Sequence, residues 1–506
     1  MHQLVATASI LAIGCALGSS AVWAQSEDRA VTIVTVEGLD IADPCNASRS
    51  NIGRVLKQNV VETFTEINPE DGAITPRLAT SWEQTDPQTW RFQLREGVKF
   101  HDGEDFNAEA AKFSVERTLN ENIPCEDRNK FFGGIELEVE VVDDYTIDVK
   151  SGKPEPILPT LMGALGVVSP NTPTDALTQE PIGTGPYVFA EWRPERDVVL
   201  ERFDGYWGET PQVEKATYVW RDDSAVRAAM IETGEADIAP NIAVQDATNP
   251  ETDYGYFNSE TSRIRIMTEI PPLDDKRIRE AINYAIDRDA FIGTILPAES
   301  VSAAQLVVPS ITGHNHDIQP FPYDPAKAKE LVEAARADGV AVDTPLRLVS
   351  RIGQWQNAVE TMEAIQSMLT EVGLNVELQA VEVGQWADMA NKPYAEDRPP
   401  TLLQSMHDNN AGDASFTIYF KYHSDGISSD IADAELDTLI EEAGVAVGEE
   451  RDAAYQEIFR RLREDIVPDA MLYHMIGYSR VGPRVEFQPT LATNSELQLS
   501  QITFKE

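Results

Sequence analysis

At 506 residues, 42% of them hydrophobic, the chain is too long for one compact core and has the apolar content of packed globular units, about three by length. A formal net charge of −44 speaks against nucleic acid and anionic lipid as partners. The acids are dispersed, as in the alternating Glu136, Glu138 and Glu140, and read as a solvated acidic surface.

The first 24 residues hold no Asp, Glu, Lys or Arg and centre on an apolar run over residues 4–17, the profile of an export signal. Val22 and Ala24 suit cleavage before Gln25. A rival reading takes Leu11-Ala12-Ile13-Gly14-Cys15 as a loose lipoprotein box with Cys15 acylated. In either case Cys45 and Cys125 remain in the body of the chain, where export favours one disulfide between them, with two buried thiols as the alternative. No later apolar run is long enough to span a bilayer; residues 157–168 are short and broken by Pro159.

Strand-like segments follow at residues 30–36, 90–94 and 139–149. Between the last two lies LREGVKFHDGEDFNAE, where His101 and Asp102 invite a catalytic reading. Gly103 suits a positive φ, Asp102 is a usual turn acceptor, and Asn107 caps the helix that follows. Adjacent turn residues seldom converge on one substrate atom, so the pair reads as structural. The glycine-rich Pro181-Ile182-Gly183-Thr184-Gly185-Pro186 leads into a strand, where a phosphate cradle would lead into a helix, and reads as a turn.

Helices become prominent later. Ile278, Ala281, Ile282, Ala285 and Ile286 form one apolar face. Asp324, Pro325 and Gly339 supply the cap, first turn and stop of the next helix. Another ends at Gly373, after which Leu374, Val376 and Leu378 alternate as a strand. The last carries Tyr455, Ile458, Phe459 and Leu462 and ends before Pro468. The His314-Asn315-His316-Asp317 loop has metal-type residues but no third ligand nearby in sequence, and reads as a solvated loop. Serine-elbow, phosphate-loop and zinc-protease motifs are absent from the sequence. The mixed order of strands and helices indicates α/β units that share the chain, and an exported, acidic, multi-domain chain with no assembled catalytic motif reads as one that binds a molecule more readily than it transforms one.

Residues 75–117, TPRLATSWEQTDPQTWRFQLREGVKFHDGEDFNAEAAKFSVER, resemble the peptide, nickel and opine group of substrate-binding proteins of bacterial ABC importers, the family 5 solute-binding proteins. PIGTGPYVFAEW, LERFDGYWGETP, TGEADI, PPLDDKRIREAINYAIDRDAF, YDPAKAKELVEAA and EVGLNVEL continue the resemblance in the family's order. It implies a type II periplasmic binding protein fold, an α/β protein of two discontinuous lobes with an extra domain and a hinge of two crossovers. After a signal at 1–24, lobe I would comprise 25–70, 185–267 and 480–506, the extra domain 71–184, and lobe II 268–479. The resemblance further implies a periplasmic monomer that takes a small solute, above all a peptide, to a membrane permease, without cofactor, metal or catalysis.

The resemblance also assigns candidate ligand residues. Glu37 and Gly38 match an early strand beside the ligand. Asp408, followed by Asn409 and Asn410, matches an aspartate that holds a peptide ammonium, and Asp413 is the anchor in an alternative register. Where dipeptide binders carry an arginine for the ligand carboxylate, this chain has Asn357-Ala358-Val359-Glu360, while Arg351 and Trp355 nearby are suited to clamp and stack a planar or anionic group. That departure and the acidic charge leave an opine, a polyamine, a glutathione-like conjugate or a chelated metal as alternative solutes; a secreted hydrolase with an active site outside the known motifs is a remote alternative.

Overall fold

The long strand Asp253–Ile266 and its antiparallel partner Asp469–Val481 organise the molecule, because each belongs to two sets of neighbours. The computed structural model describes residues 29–68, 73–132, 135–352, 354–355, 357–409 and 412–505. The signal segment, Cys15 and Asn410 therefore lie outside the described residues.

Both long strands sit in an 11-stranded sheet. On one side Thr401–Asp408, Leu346–Arg351 and Val376–Val381 follow in that order, mutually parallel. On the other come Ile238–Ile242, Ala30–Thr35, Lys215–Trp220, Asp197–Arg202 and Tyr187–Arg193. The first three of these run parallel to one another. The registers fix directions: Ile238–Ile242 advances from Val481 toward Tyr478, while Thr401–Asp408 advances from Ile266 back to Glu260. Each parallel set thus aims its carboxyl ends at the other, across the middle of the two long strands. That crevice is where open α/β sheets bind ligands.

The two halves have separate cores, which makes them lobes. Ile33, Val198, Tyr218, Ile238 and Leu497 pack in one, with Tyr187 OH donating to the Val213 carbonyl at 3.0 Å. In the other, Ile264, Leu348 and Leu402 lie beneath the helices Lys276–Ala285, Pro325–Ala337 and Ala358–Glu371. The expected punctuation is present: Asp324 Oδ1 accepts from Lys327 N at 2.9 Å, and Gly339 and Gly373 adopt φ of +88° and +96°. Arg263 and Asp469 bridge the long strands inside lobe II at 2.8 Å, and Tyr422 OH donates to the same carboxylate at 2.7 Å.

A four-stranded antiparallel sheet, in the order Ala79–Asp86, Thr89–Leu94, Thr146–Ser151 and Leu137–Asp143, forms the third unit with helix Ala108–Leu119. Phe92, Phe106, Val115 and Ile147 fill its core. The strand expected over 139–149 is here a hairpin. Asp143 Oδ1 accepts from Tyr145 N at 2.9 Å, so the local carboxylate turn overrides a β-rich run.

Several sequence blocks of the resemblance meet at Glu62, which is buried. Its carboxylate accepts from Thr184 Oγ1 at 2.9 Å, Tyr206 OH at 3.1 Å and Trp207 Nε1 at 2.8 Å, and Arg77 Nε lies 2.8 Å away. Gly183 and Gly185 are required beside it, since a Cβ at either would come within 2.1 Å and 2.3 Å of the Val60 and Asn59 carbonyl oxygens. Cys45 and Cys125 are joined by a disulfide with Cα atoms 5.1 Å apart, linking the third unit to lobe I. Next to it Asp43, wholly buried, takes Arg117 Nη2 at 2.6 Å and the Thr178 amide at 2.7 Å.

Candidate functional site

His101 and Asp102 take no part in the crevice. His101 Nε2 meets the Gly185 carbonyl at 2.9 Å and its ring lies edge-on to Phe203. Burial pushes its pKa below the ordinary histidine value, which suits a neutral ring donating to that carbonyl. Asp102 Oδ2 accepts from Ser169 Oγ at 2.6 Å and Asn171 Nδ2 at 3.0 Å. The pair braces a turn against the glycine-rich segment.

The crevice is built from strand ends. On the lobe I side, Ala30–Thr35 runs out into exposed Glu37 and then Gly38. A Cβ at Gly38 would fall 2.4 Å from the Trp220 ring, so glycine lets the indole close over the loop. Asn51 Nδ2 holds the Gly38 carbonyl at 2.8 Å. Behind them Arg54, on helix Ser50–Leu56, donates from Nε to Thr493 O at 2.9 Å and from Nη2 to Asn494 Oδ1 at 3.2 Å. Burial lowers its pKa, against the fields of Tyr256, Glu260 and Glu37.

Asp408 ends its strand on the lobe II side. Its Oδ1 accepts from Ser259 Oγ at 3.1 Å, and Lys130 Nζ reaches Oδ2 at 3.4 Å from the short helix Glu126–Phe131 of the third unit. Glu260 is directly opposite Asp408 in the antiparallel ladder. Burial, reinforced by the Asp408 charge, raises the Glu260 carboxyl to about 8. Asn409 is buried, and its Nδ2 donates to the Ser259 carbonyl at 2.8 Å. It ties the loop to the long strand.

Asp413, the alternative anchor, is instead committed inside lobe II. Arg451 grips it through Nε at 2.9 Å and Nη2 at 2.8 Å, and Oδ1 caps helix Ala414–Tyr422 through Ser415 N at 2.8 Å. A carboxylate buried in a two-point ion pair and a helix cap has no face left for a ligand.

Arg351 closes its strand at the same rim as Asp408. Its guanidinium lies over the Trp386 ring at 5.5 Å, while Nε lacks an acceptor among the described residues. Gln404 Oε1 accepts from Arg351 N and Ser350 Oγ, both at 2.8 Å, and Gln404 Nε2 has no partner among the described residues. Trp355, in the adjoining turn, packs against the lobe II core, and its Nε1 is buried with no acceptor among the described residues. Among the described residues, donors on Arg351, Gln404 and Trp355 are thus unmet, beside one unmet acceptor, Gln354 Oε1, and this strand end can take a ligand group with acceptor oxygens.

The lobes touch beside this crevice. A Cβ on Gly412 would meet Ile67 Cδ1 at 3.1 Å, and Asn409 and Ile311 face Lys57 and Glu496 around a small cavity. Among the described residues there is no group of three His, Cys, Asp or Glu side chains able to hold a metal ion, and no helix long and apolar enough to cross a membrane.

The structure thus gathers Glu37, Gly38, Arg351 and Asp408 about one crevice, with Trp355 at its edge, and adds Arg54, Lys130, Glu260 and Gln404. None of these four belongs to a motif, and each arrives on a different element. The turn-type pair Asn258-Ser259 within a strand pattern is the one local signal that marked the region.

Comparison with known proteins agrees with this architecture. Over 349 residues, 63% of its length, the chain is 30% identical to the dipeptide-binding protein of Escherichia coli K12, of which the match spans 65%. It is 28% identical over 472 residues, 85% of the chain and 84% of the relative, to heme-binding protein A of Haemophilus influenzae. In fold it is similar to the periplasmic binding protein DppA of Helicobacter pylori, solved in complex with the peptide STSA, with a TM-score of 0.76, 20% identity, and 96% and 100% of the two chains covered. The model of the bacterial extracellular solute-binding proteins, family 5, matches residues 73–428, and the chain belongs to that family.

Proposed function

We propose that the protein captures a small peptide between its lobes, with the peptide ammonium on Asp408 and its carboxylate or terminal carbonyl at the Arg351, Gln404 and Trp355 corner. The observation that carries this reading is the contact between Asp408 and the Lys130 ammonium at 3.4 Å, a lobe II carboxylate at a strand end receiving a cation across the crevice. The unmet donors beside Arg351 supply the opposite polarity. A peptide carries an ammonium at one end and acceptor oxygens at the other. The relatives named for a dipeptide and solved with a peptide support the same class.

In this reading the protein is a monomer of the periplasm and needs no cofactor. It closes about the hinge strands and passes the solute to the permease of an ABC importer without chemical change. Thermal unfolding against di- and tripeptides and their N-acetylated forms tests it. A peptide at a hundred times its Kd stabilises by about 2.7 kcal/mol, a rise of several degrees in Tm. The expected result is a shift with free peptides that N-acetylation abolishes. An equal shift with both forms would rule out the ammonium contact.

A further inference from the structure

Glu260 and Asp408 are an unusual pair to find side by side. They are directly opposed on adjacent antiparallel strands, a position that puts Cβ atoms roughly 5 Å apart on one face of the sheet. Like charges placed so are destabilising unless one is neutralised. Ser259, with φ of +67°, and a register shift between Phe257 and Thr261 turn the strand immediately before Glu260. The Glu260 amide donates to Asn258 Oδ1 at 3.1 Å, and Asn258 Nδ2 reaches Glu260 Oε2 at 3.4 Å.

Four charged groups face Glu260 from four separate elements. Asp408 on its paired strand opposes ionisation, while Arg54 from helix Ser50–Leu56, Arg351 from strand Leu346–Arg351 and Lys130 from helix Glu126–Phe131 favour it. None of the three cations is within ion-pair distance of Glu260. Arg54 is turned toward Thr493 and Asn494, Lys130 is on Asp408, and Arg351 is over Trp386. Glu260 is thus a half-buried carboxyl beside a carboxylate, with an amide as its side-chain partner. Its position near 8 follows from that geometry.

We propose that Glu260 is a second carboxyl of the ammonium subsite, which carries a proton in the free protein and gives it up to solvent when a ligand's cationic group enters beside Asp408. This rests on the reading that an ammonium docks at Asp408. The balance is one cation in and one proton out: the Glu260 O–H bond breaks, its electron pair stays on the carboxylate, and the buffer takes the proton. The pair then has charge −2 against the ligand's +1 and the Lys130 ammonium. The selectivity follows: a ligand whose amine is acylated leaves Glu260 protonated and gains nothing from it.

Isothermal titration of dialanine, trialanine and putrescine at pH 7, in phosphate and in Tris, measures the protons released on binding, because the two buffers differ in ionisation enthalpy. Release approaching one proton is expected, with affinity rising close to tenfold per pH unit from pH 6 to pH 7. Glu260→Gln should bind more weakly, release none, and lose that pH dependence. Binding by the wild type without proton release, or release that persists in Glu260→Gln, overturns the inference and leaves the peptide reading intact. Failure of every free-amine probe to bind overturns the peptide reading and this inference with it, and equal binding of N-acetyl-dialanine overturns the ammonium contact and this inference with it.

A measurement without ligand guards against a defect in the variant. A carboxyl whose pKa is raised on folding makes stability fall as pH rises from the unfolded value of about 4.5 to the folded value of about 8. The Tm of Glu260→Gln should therefore decline less than that of the wild type between pH 5 and pH 9. An identical decline in both would overturn the inference.

Discussion

The Ser259 hydroxyl donates to Asp408 Oδ1 at 3.1 Å, and through it the proposed ligand anchor is joined to the one left-handed residue of a hinge strand. Ser259 is fully buried, and its carbonyl also takes the Asn409 amide at 3.0 Å and Nδ2 at 2.8 Å. A non-glycine residue at positive φ persists only where its surroundings hold it. Here the surroundings are Asp408 and Asn409. Ser259→Ala keeps the backbone and deletes one hydrogen bond to a charged group, which we expect to weaken peptide affinity by about 1.5 kcal/mol, or roughly tenfold, by isothermal titration. Ser259→Val places a β-branched side chain at that φ, and its Tm should fall below that of Ser259→Ala.

The two aspartates at positions 408 and 413 should separate cleanly. Asp408→Asn removes the charge that faces the crevice and should raise the peptide Kd by about thirtyfold, roughly 2 kcal/mol, with a Tm close to the wild type. Asp413→Asn leaves Arg451 buried without its counter-charge and should cost about 3 kcal/mol of stability in denaturant unfolding. Its peptide affinity should stay within about twofold of the wild type. The reverse pattern would make Asp413 the anchor.

Lys130 occupies Asp408 in the structure and must share it with an incoming ammonium. Lys130→Met keeps the stem and removes the charge. Cationic ligands should then bind several-fold more tightly, and the salt dependence of binding should steepen, since one screening charge has left the site. Weaker binding would instead assign Lys130 to the ligand's acceptor end.

Cys45 and Cys125 are 80 residues apart in sequence, and closing so long a loop restricts the unfolded chain by about 4 kcal/mol in the chain-entropy model. Cys45→Ser/Cys125→Ser should lower the unfolding free energy by about that amount at an unchanged wavelength signature of the folded state. Reductant should bring the wild type to the same value.

Acid should weaken the hinge through His474. Its Nδ1 meets Thr261 Oγ1 at 2.9 Å, and burial lowers its pKa from 6.5 to about 4. Between those values the unfolded chain binds the proton and the folded chain does not, so stability falls as pH drops from 6.5 to 4, by up to about 3 kcal/mol from this residue. His474→Gln should flatten that limb of the pH–stability curve.

Much of this protein was legible before any fold was seen. The caps at Asn107 and Asp324, the stops at Gly339 and Gly373 and the turn role of His101 and Asp102 follow from local rules, because cap and turn energies involve residues a few positions apart. The hairpin at Asp143 lies inside a β-rich run, and the carboxylate turn that makes it, Asp143 Oδ1 accepting from Tyr145 N, is a local signal that β-propensity masks. In sequence Asp408 matches the family's aspartate and Asp413, five residues on in the same loop, fits it in an alternative register. Only Arg451, 38 residues beyond Asp413, separates them, by taking one carboxylate into lobe II.

The sequence by itself determined the α/β class, the local punctuation of its elements and, through the ordered blocks, the family. Tertiary structure decided which residues meet at the crevice. Arg54, Lys130, Glu260, Arg351 and Asp408 lie on five elements spread over more than 350 residues, and what unites them is the convergence of strand ends across two shared strands. A propensity acts within a few residues of chain, whereas a carboxyl's charge state depends on which cations and carboxylates the fold brings within a few ångströms of it.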